Sequence, residues 1–250
     1  MQVKLIDYQA NALELLIHTK STRLAAGQTV EEIAQWPMEK KLDHLKYMRH
    51  TIASSWEFVR YIFEITEVSR VFTHQLVRTR TQSYAQESQR TIDASGNGFY
   101  SFGDKQADAY MNKAFECYQM LQHDEVPNQD ARYVLPEATL TNIIVGSDLR
   151  TLSHTAEVRL CTRTQGEYQN VFRAMRQAVI EVHPWAEIFI QVGCVKTGVC
   201  VFPNYRECPI QPLTLRVTDE QRAAIANAWK NTRHEARPIA VDGKTMHGEV

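Results

Sequence analysis

Apolar positions set out the first elements. Leu13, Leu15, Leu16 and Ile17 fall near helical spacing across 11–19, and a second helical stretch runs over 37–49, with Pro37 tolerated in its first turn. Both are expected to lie on the outside of the fold. A run of aromatic and β-branched residues over 59–65 predicts a strand, after which Ser69 offers a side-chain cap for a short helix ending near Val77. Asp93-Ala94-Ser95-Gly96-Asn97-Gly98 is a turn-rich break. Beyond it, 104–122 predicts a long helix with Tyr110, Ala114, Cys117 and Leu121 on one face. A second strand is expected over 140–145, then helices over 148–159, capped by Ser147 or Asp148, and over 165–182. A last helix starting at Thr218 or Asp219 and ending at Trp229 precedes a polar tail expected to fray.

The class is α+β, with a small mixed sheet surrounded by helices. It lacks the repeated strand–helix alternation and the Gly-rich turn of a doubly wound nucleotide fold, so any dinucleotide must bind outside a Rossmann crevice. Residues 1–215 are expected to form the main domain and 216–250 a C-terminal helix and tail. The 250 residues, 44% of them hydrophobic, suffice for one sizeable core. A net charge of -1 provides no global basic field, which argues against a nucleic-acid partner but leaves room for a local arginine site. No apolar run approaches a membrane span, and the first residues lack a signal-peptide core, so a cytoplasmic location is expected. Five cysteines fit reduced thiols better than a disulfide framework.

The segment 78–90 changes the picture. Arg78, Arg80 and Arg90 stand among hydroxyl and amide side chains beside one carboxylate, Glu87. Planar, permanently charged guanidinium groups suit bidentate contact with an oxyanion, a phosphate above all. Two other readings of the same residues are a solvated charged loop and a non-enzymatic binder of nucleotides or single strands, with Tyr84 stacking on bases.

Arg78-Thr79-Arg80, seven residues and Ser88 resemble the signature of the flavin-dependent thymidylate synthases, Arg-His-Arg followed at that spacing by Ser. Upstream, Val68-Ser69-Arg70-Val71-Phe72-Thr73-His74-Gln75-Leu76-Val77 is similar to the segment leading into that signature. Downstream, Arg132-Tyr133-Val134-Leu135-Pro136 resembles its Arg-x-x-Leu-Pro element. Asp148-Leu149-Arg150-Thr151-Leu152, Arg159 and Gln165-Gly166-Glu167 follow in the family's order, so the resemblance spans roughly 45–205.

The resemblance implies a homotetramer with flavin and nucleotide between subunits. It implies transfer of a one-carbon unit from 5,10-methylenetetrahydrofolate to C5 of dUMP, with FAD as cofactor and NADPH as reductant. By position, Gln75, Arg78, Glu87, Ser88, Arg90, Arg132 and Arg159 would hold dUMP, and Arg159 and Ser88 would serve the chemistry, Arg159 against the base. Ser54, Glu57, Arg78, Thr79, Arg80, Asp148, Arg150 and His154 fall where the family contacts FAD. No metal is implied.

Each residue also has a plainer role open to it. Arg159 could be a helix-end cation, Glu87 a salt-bridge partner of Arg78 or Arg90, Ser54 and Glu57 caps, and His154 a surface residue. Three family histidines are replaced, by Ile52, Phe58 and Thr79. His50, His74 or Trp56 could stand in, Trp56 by stacking on a flat ring if it is not core. The rebuilt side opens an alternative in which water attacks the transferred methylene, giving 5-hydroxymethyl-dUMP. Cys117 and Cys161 are expected to be buried inert thiols, and Cys194, Cys200 and Cys208 form an incomplete zinc set.

Overall fold

The computed structural model describes residues 1–21, 28–51, 53–200, 202, 208–210, 239–241 and 244–246. The chain divides into two compact units, Met1–Val192 and Gly193–Val250. The expected boundary at 215 and the expected helix over 218–229 lie outside the described residues.

In the first unit, β1 (Gln2–Tyr8), β2 (Arg60–Ser69), β3 (Ser83–Gln86) and β4 (Leu140–Asp148) form a four-stranded sheet in the order β1-β2-β4-β3. Every pairing is antiparallel, so the expected mixed sheet is antiparallel throughout. Tyr61, Phe63 and Ile65 alternate into the core along β2, and Thr141, Ile143, Val145 and Ser147 do so along β4. A bulge between Ile65 and Val68, with Glu67 at φ 56°, shifts the parity and returns Val68 to the buried face. Asn142 Oδ1 accepts the Glu67 N–H at 3.1 Å, which steadies that kink.

The helices are α1 (Ala12–Ser21), α2 (Val30–Ala34), α3 (Met38–Met48), α4 (Arg70–Leu76), α5 (Lys105–His123), α6 (Asn128–Ala131), α7 (Leu149–Arg159), α8 (Gly166–Val182) and, in the second unit, α9 (Gly193–Thr197). The core joins the buried sheet residues to apolar side chains of α1, α3, α4, α7 and α8. The expectation that α1 lies outside is corrected, because Ala12, Leu13, Leu16 and Ile17 are all buried there. Likewise α5 is rotated from its expected face. Phe115 and Tyr118 are its buried residues, whereas Tyr110 is 64% exposed and Cys117 exposed. The larger aromatics decide this orientation. Tyr118 packs with Ala94 and Ala131, and its hydroxyl accepts the Ala94 N–H at 3.2 Å. In the second unit, β5 (Ile239–Val241) pairs antiparallel with β6 (Lys244–Met246). No described helix is long and apolar enough to cross a membrane.

Candidate active site

Helix α4 organises the site, and a buried carboxylate fixes its start. Glu167, 5% exposed, accepts the Ser69 N–H at 2.7 Å and the Ser69 hydroxyl at 2.5 Å. Ser69 Oγ in turn accepts the Phe72 N–H at 3.0 Å as the cap of α4. A negative charge at a helix N-terminus is favourable, so the Glu of the Gln-x-Glu element acts as a structural anchor. Its Gln165 accepts from Gln75 Nε2 at 3.1 Å, tying the far end of α4 to the start of α8. The seven residues of α4 separate its two ends by about 10 Å.

Arg70, Arg132 and Glu87 interact at the N-terminal end. Burial, with Arg132 as a like-charged neighbour, lowers the Arg70 pKa, and Glu87 acts in the opposite direction. Arg70 Nη1 is buried without a hydrogen-bond partner. Arg132 Nε donates to the Gln129 carbonyl at 3.1 Å. Glu87 accepts from Asn97 Nδ2 at 3.0 Å, Asn142 Nδ2 at 2.9 Å and the Asn142 N–H at 3.2 Å. It forms no ion pair with Arg78 or Arg90, which corrects the salt-bridge reading: the two asparagines already hold its oxygens. Ser88 and Arg90 follow in an exposed turn, with the Arg90 N–H donating to Ser88 Oγ at 3.3 Å. Two guanidinium groups beside one committed carboxylate leave net positive charge at this end of α4, the chemistry that an anion would meet. Arg70 was missed from sequence, where a lone arginine opening a helix gives no signal of its own.

Beyond the C-terminal end of α4, the chain turns through 78–82 into β3. The Tyr84 hydroxyl lies 2.8 Å from each of the Leu76 carbonyl, the Thr79 carbonyl and Gln82 Oε1, and so braces the turn. Arg78 and Arg80 are exposed and Thr79 is half-buried. Arg159 is in the last turn of α7, but its guanidinium carbon lies 4.2 Å from the centroid of the Tyr168 ring. It is therefore a stacked cation rather than a solvated helix-end charge.

Glu57, Thr81, Asp148, Arg150, Thr151 and His154 line a cavity of about 600 Å³, a volume typical of a small-molecule site. Arg150 forms an ion pair with Glu57, and the Asp148 carboxylate accepts the Thr151 N–H at 2.7 Å as the cap of α7. Of the two caps the sequence allowed, Asp148 is used. Ser147 instead accepts from Gln82 Nε2 at 2.9 Å. Thr151 donates its hydroxyl to Thr81 Oγ1 at 3.1 Å. A guanidinium, an imidazole and two hydroxyls suit a phosphate- and hydroxyl-bearing cofactor such as FAD, and the two carboxylates of the lining are already engaged, Glu57 by Arg150 and Asp148 by the Thr151 N–H, so the donor set fits. Thr81 was not foreseen. Ser54, half-buried in the turn Ala53–Phe58, and the segment Arg78–Arg80 are not among the residues lining this cavity.

Trp56 is no stacking surface. It is 4% exposed and meets Phe189 edge-on at 4.7 Å, as a core residue does. His50 and His74 are exposed, and His74 lies 3.9 Å from Glu137. Phe58 is 55% exposed beside Glu57, and Ile52 lies outside the described residues. The expectation of buried thiols at Cys117 and Cys161 also fails: Cys117 faces solvent on α5, and Cys161 is half-buried in the turn after α7.

Comparison with known proteins identifies the family and the fold. Residues 4–185 match the family described as thymidylate synthase complementing protein. A flavin-dependent thymidylate synthase of Sulfurisphaera tokodaii is 33% identical over 211 residues, covering 78% of this chain and 79% of that protein. One from Geobacter sulfurreducens is 36% identical over 169 residues, covering 64% and 72%. The crystal structure of thymidylate synthase X from Helicobacter pylori, with FAD and dUMP, aligns over 74% of this chain and 97% of its own at a TM-score of 0.64 and 18% identity. The UMP/dUMP methylase PolB of Streptomyces cacaoi, bound with 5-Br dUMP, aligns over 77% and 97% at 0.62 and 21%. At those identities the structural likeness is one of fold, whereas the family match over residues 4–185 spans the arginine segments and both ends of α4. The chain belongs to the thymidylate synthase complementing protein family, that of the flavin-dependent thymidylate synthases.

Proposed function

We propose that this protein transfers a one-carbon unit from 5,10-methylenetetrahydrofolate to C5 of dUMP and reduces it to a methyl group, making dTMP in the cytoplasm. The observation that carries the reading is the charge arrangement around α4. Arg70 and Arg132 bring positive charge to its N-terminal end, Arg159 is stacked on Tyr168, whose ring packs against Phe72 of α4, and a cavity whose donors suit FAD is lined from β4 and α7. Arg70 and Arg132, with Gln75, Arg78, Ser88 and Arg90, hold the phosphate and sugar. Arg159 faces the pyrimidine and stabilises negative charge over N3 and the ring oxygens, which enriches C5 in electrons. Holding the phosphate still contributes to the same end by fixing C5 relative to the incoming carbon. The C5–carbon bond forms, the folate nitrogen leaves, the C5 proton is lost, and a hydride completes the methyl group.

Glu57, Asp148, Arg150 and His154 hold FAD, completed by Ser54, Arg78, Thr79 and Arg80. Bound flavin supplies the hydride chemistry, replenished by NADPH, because no side chain can deliver a hydride. Ser88, Arg78, Arg80 and Arg90 are exposed in the single chain, as expected if neighbouring protomers of a homotetramer complete each site. The sheet face opposite the core fits the same assembly, with Ile6 44% and Ile144 40% exposed. The test is the mass of the nucleotide formed from dUMP, 5,10-methylenetetrahydrofolate and NADPH by the flavin-loaded protein. A dTMP product supports the reading; 5-hydroxymethyl-dUMP, or no turnover by fully loaded protein, refutes it.

A further inference from the structure

Arg159 has no carboxylate within ion-pair distance among the described residues. Its holder is instead a ring face. The guanidinium carbon lies 4.2 Å from the Tyr168 centroid, and Tyr168 is fully buried. The ring itself cannot turn freely. It meets Phe72 of α4 at right angles with centroids 5.0 Å apart. It also follows Glu167, whose carboxylate is bound to Ser69 at the start of α4. The Tyr168 hydroxyl is buried with no hydrogen-bond partner among the described residues, and burial raises its pKa while Arg159 and Thr79 act in the opposite direction.

An ion pair would hold Arg159 by its N–H edge, the edge that must meet a uracil, and would partly neutralise its charge. Stacking holds the group by its flat face, leaving both the donors and the charge available. A lysine ammonium has no flat face to register on the ring, so this geometry is specific to arginine.

We propose that Tyr168 is a positioning residue for Arg159, which sets the angle at which the guanidinium edge is presented to the pyrimidine while leaving its full charge in place. The inference rests on the reading that Arg159 faces the base. Three substitutions in the full-length, flavin-loaded protein test it. Tyr168→Phe keeps the ring, Tyr168→Met keeps bulk without a π face, and Arg159→Lys removes the fork. Tyr168→Phe is expected within about threefold of wild type in kcat, since the ring contact is worth more than an unpaired hydroxyl. Tyr168→Met is expected to lower kcat about 10-fold, the scale of a desolvated cation–π contact. It should also move the rising limb of the kcat–pH profile to higher pH, because the misplaced guanidinium no longer favours the N3-ionised base.

Deoxyribose 5-phosphate, which lacks the base, should bind wild type and Tyr168→Met alike. In the combined Arg159→Lys/Tyr168→Met variant the second change should add little to the first. A purely structural Tyr168 would lower thermal stability and weaken binding of deoxyribose 5-phosphate while leaving the pH limb in place, and that result overturns the proposal. So does a Tyr168→Phe loss in kcat of about 10-fold or more, a readout that needs no comparison and remains decisive if the Met variant does not fold. If Arg159→Lys alone leaves turnover unchanged, the reading of Arg159 itself fails. If Arg159→Lys is impaired but Tyr168→Met is not, only the role of Tyr168 is lost.

Discussion

Replacing Arg70 by Met separates binding from folding, because the two respond in opposite directions. In the ligand-free protein the buried Arg70 Nη1 has no partner among the described residues, and the positive charge of Arg132 acts against that of Arg70. An unmet buried donor costs about 1–3 kcal/mol, and a Met of similar length removes that cost together with the like-charge repulsion. Stability without ligand is therefore expected to hold or rise. Binding of dUMP should weaken, since hydrogen bonds from a charged group to phosphate contribute about 1.5–3 kcal/mol, or about 10- to 150-fold in Kd. Thermal unfolding with and without dUMP reads both at once. At a concentration of 100 times the wild-type Kd, ligand stabilises the wild type by about 2.7 kcal/mol. A variant binding 100-fold more weakly gains only about 0.4 kcal/mol under the same conditions. Loss of stability in the free variant with unchanged dUMP affinity would show that Arg70 is a structural cation and refute the anion-site assignment.

Other perturbations address separate parts of the account. Arg150→Ala removes the cation that pairs with Glu57 and lines the cavity, and is expected to release flavin on gel filtration while dUMP affinity stays within about twofold; a variant that stays yellow argues against the cavity. Glu167→Gln leaves only one oxygen to accept the two Ser69 bonds at the start of α4, so urea unfolding should show a loss of about 1–3 kcal/mol, with turnover falling as α4 loosens. An unchanged midpoint would mean that the anchor is dispensable. His183, buried and 3.0 Å from the Tyr61 hydroxyl, has its pKa lowered by burial, with the Gln9 backbone and Glu14 opposing. The folded state thus binds fewer protons than the unfolded one, so stability is complete above about pH 6.5 and declines as pH falls below it. His183→Gln should flatten that decline in Tm, and an equally steep decline assigns it to other groups.

Legibility in the sequence followed the physics of each element. Helix α4 and its Ser69 cap, β4, and α7 with its Asp148 cap were readable because cap chemistry and dense apolar runs are local signals. Strand β3, Ser83–Gln86, was not, since its side chains are largely polar and its pairing with β4 alone makes it a strand. Strand β1 carried a short alternation at Val3 and Leu5, and α2 a capping box between Thr29 and Glu32, but both are brief enough to be passed over. In the site, the order of arginines was visible and their partners were not. Nothing local says that Glu87 is held by two asparagines, that Glu167 anchors a helix 98 residues away, or that Tyr168 lies under Arg159. Those are tertiary contacts, and only chain folding brings them together.

The central claim is that arginines from separate segments converge on one dUMP and activate its C5. Release of tritium from dUMP labelled at C5, measured with flavin-loaded protein, methylenetetrahydrofolate and NADPH, tests it most directly. Release in step with dTMP formation, strongly reduced in Arg159→Lys, is the expected result. Nucleotide bound with the label retained at C5, or release that does not depend on Arg159, would contradict it.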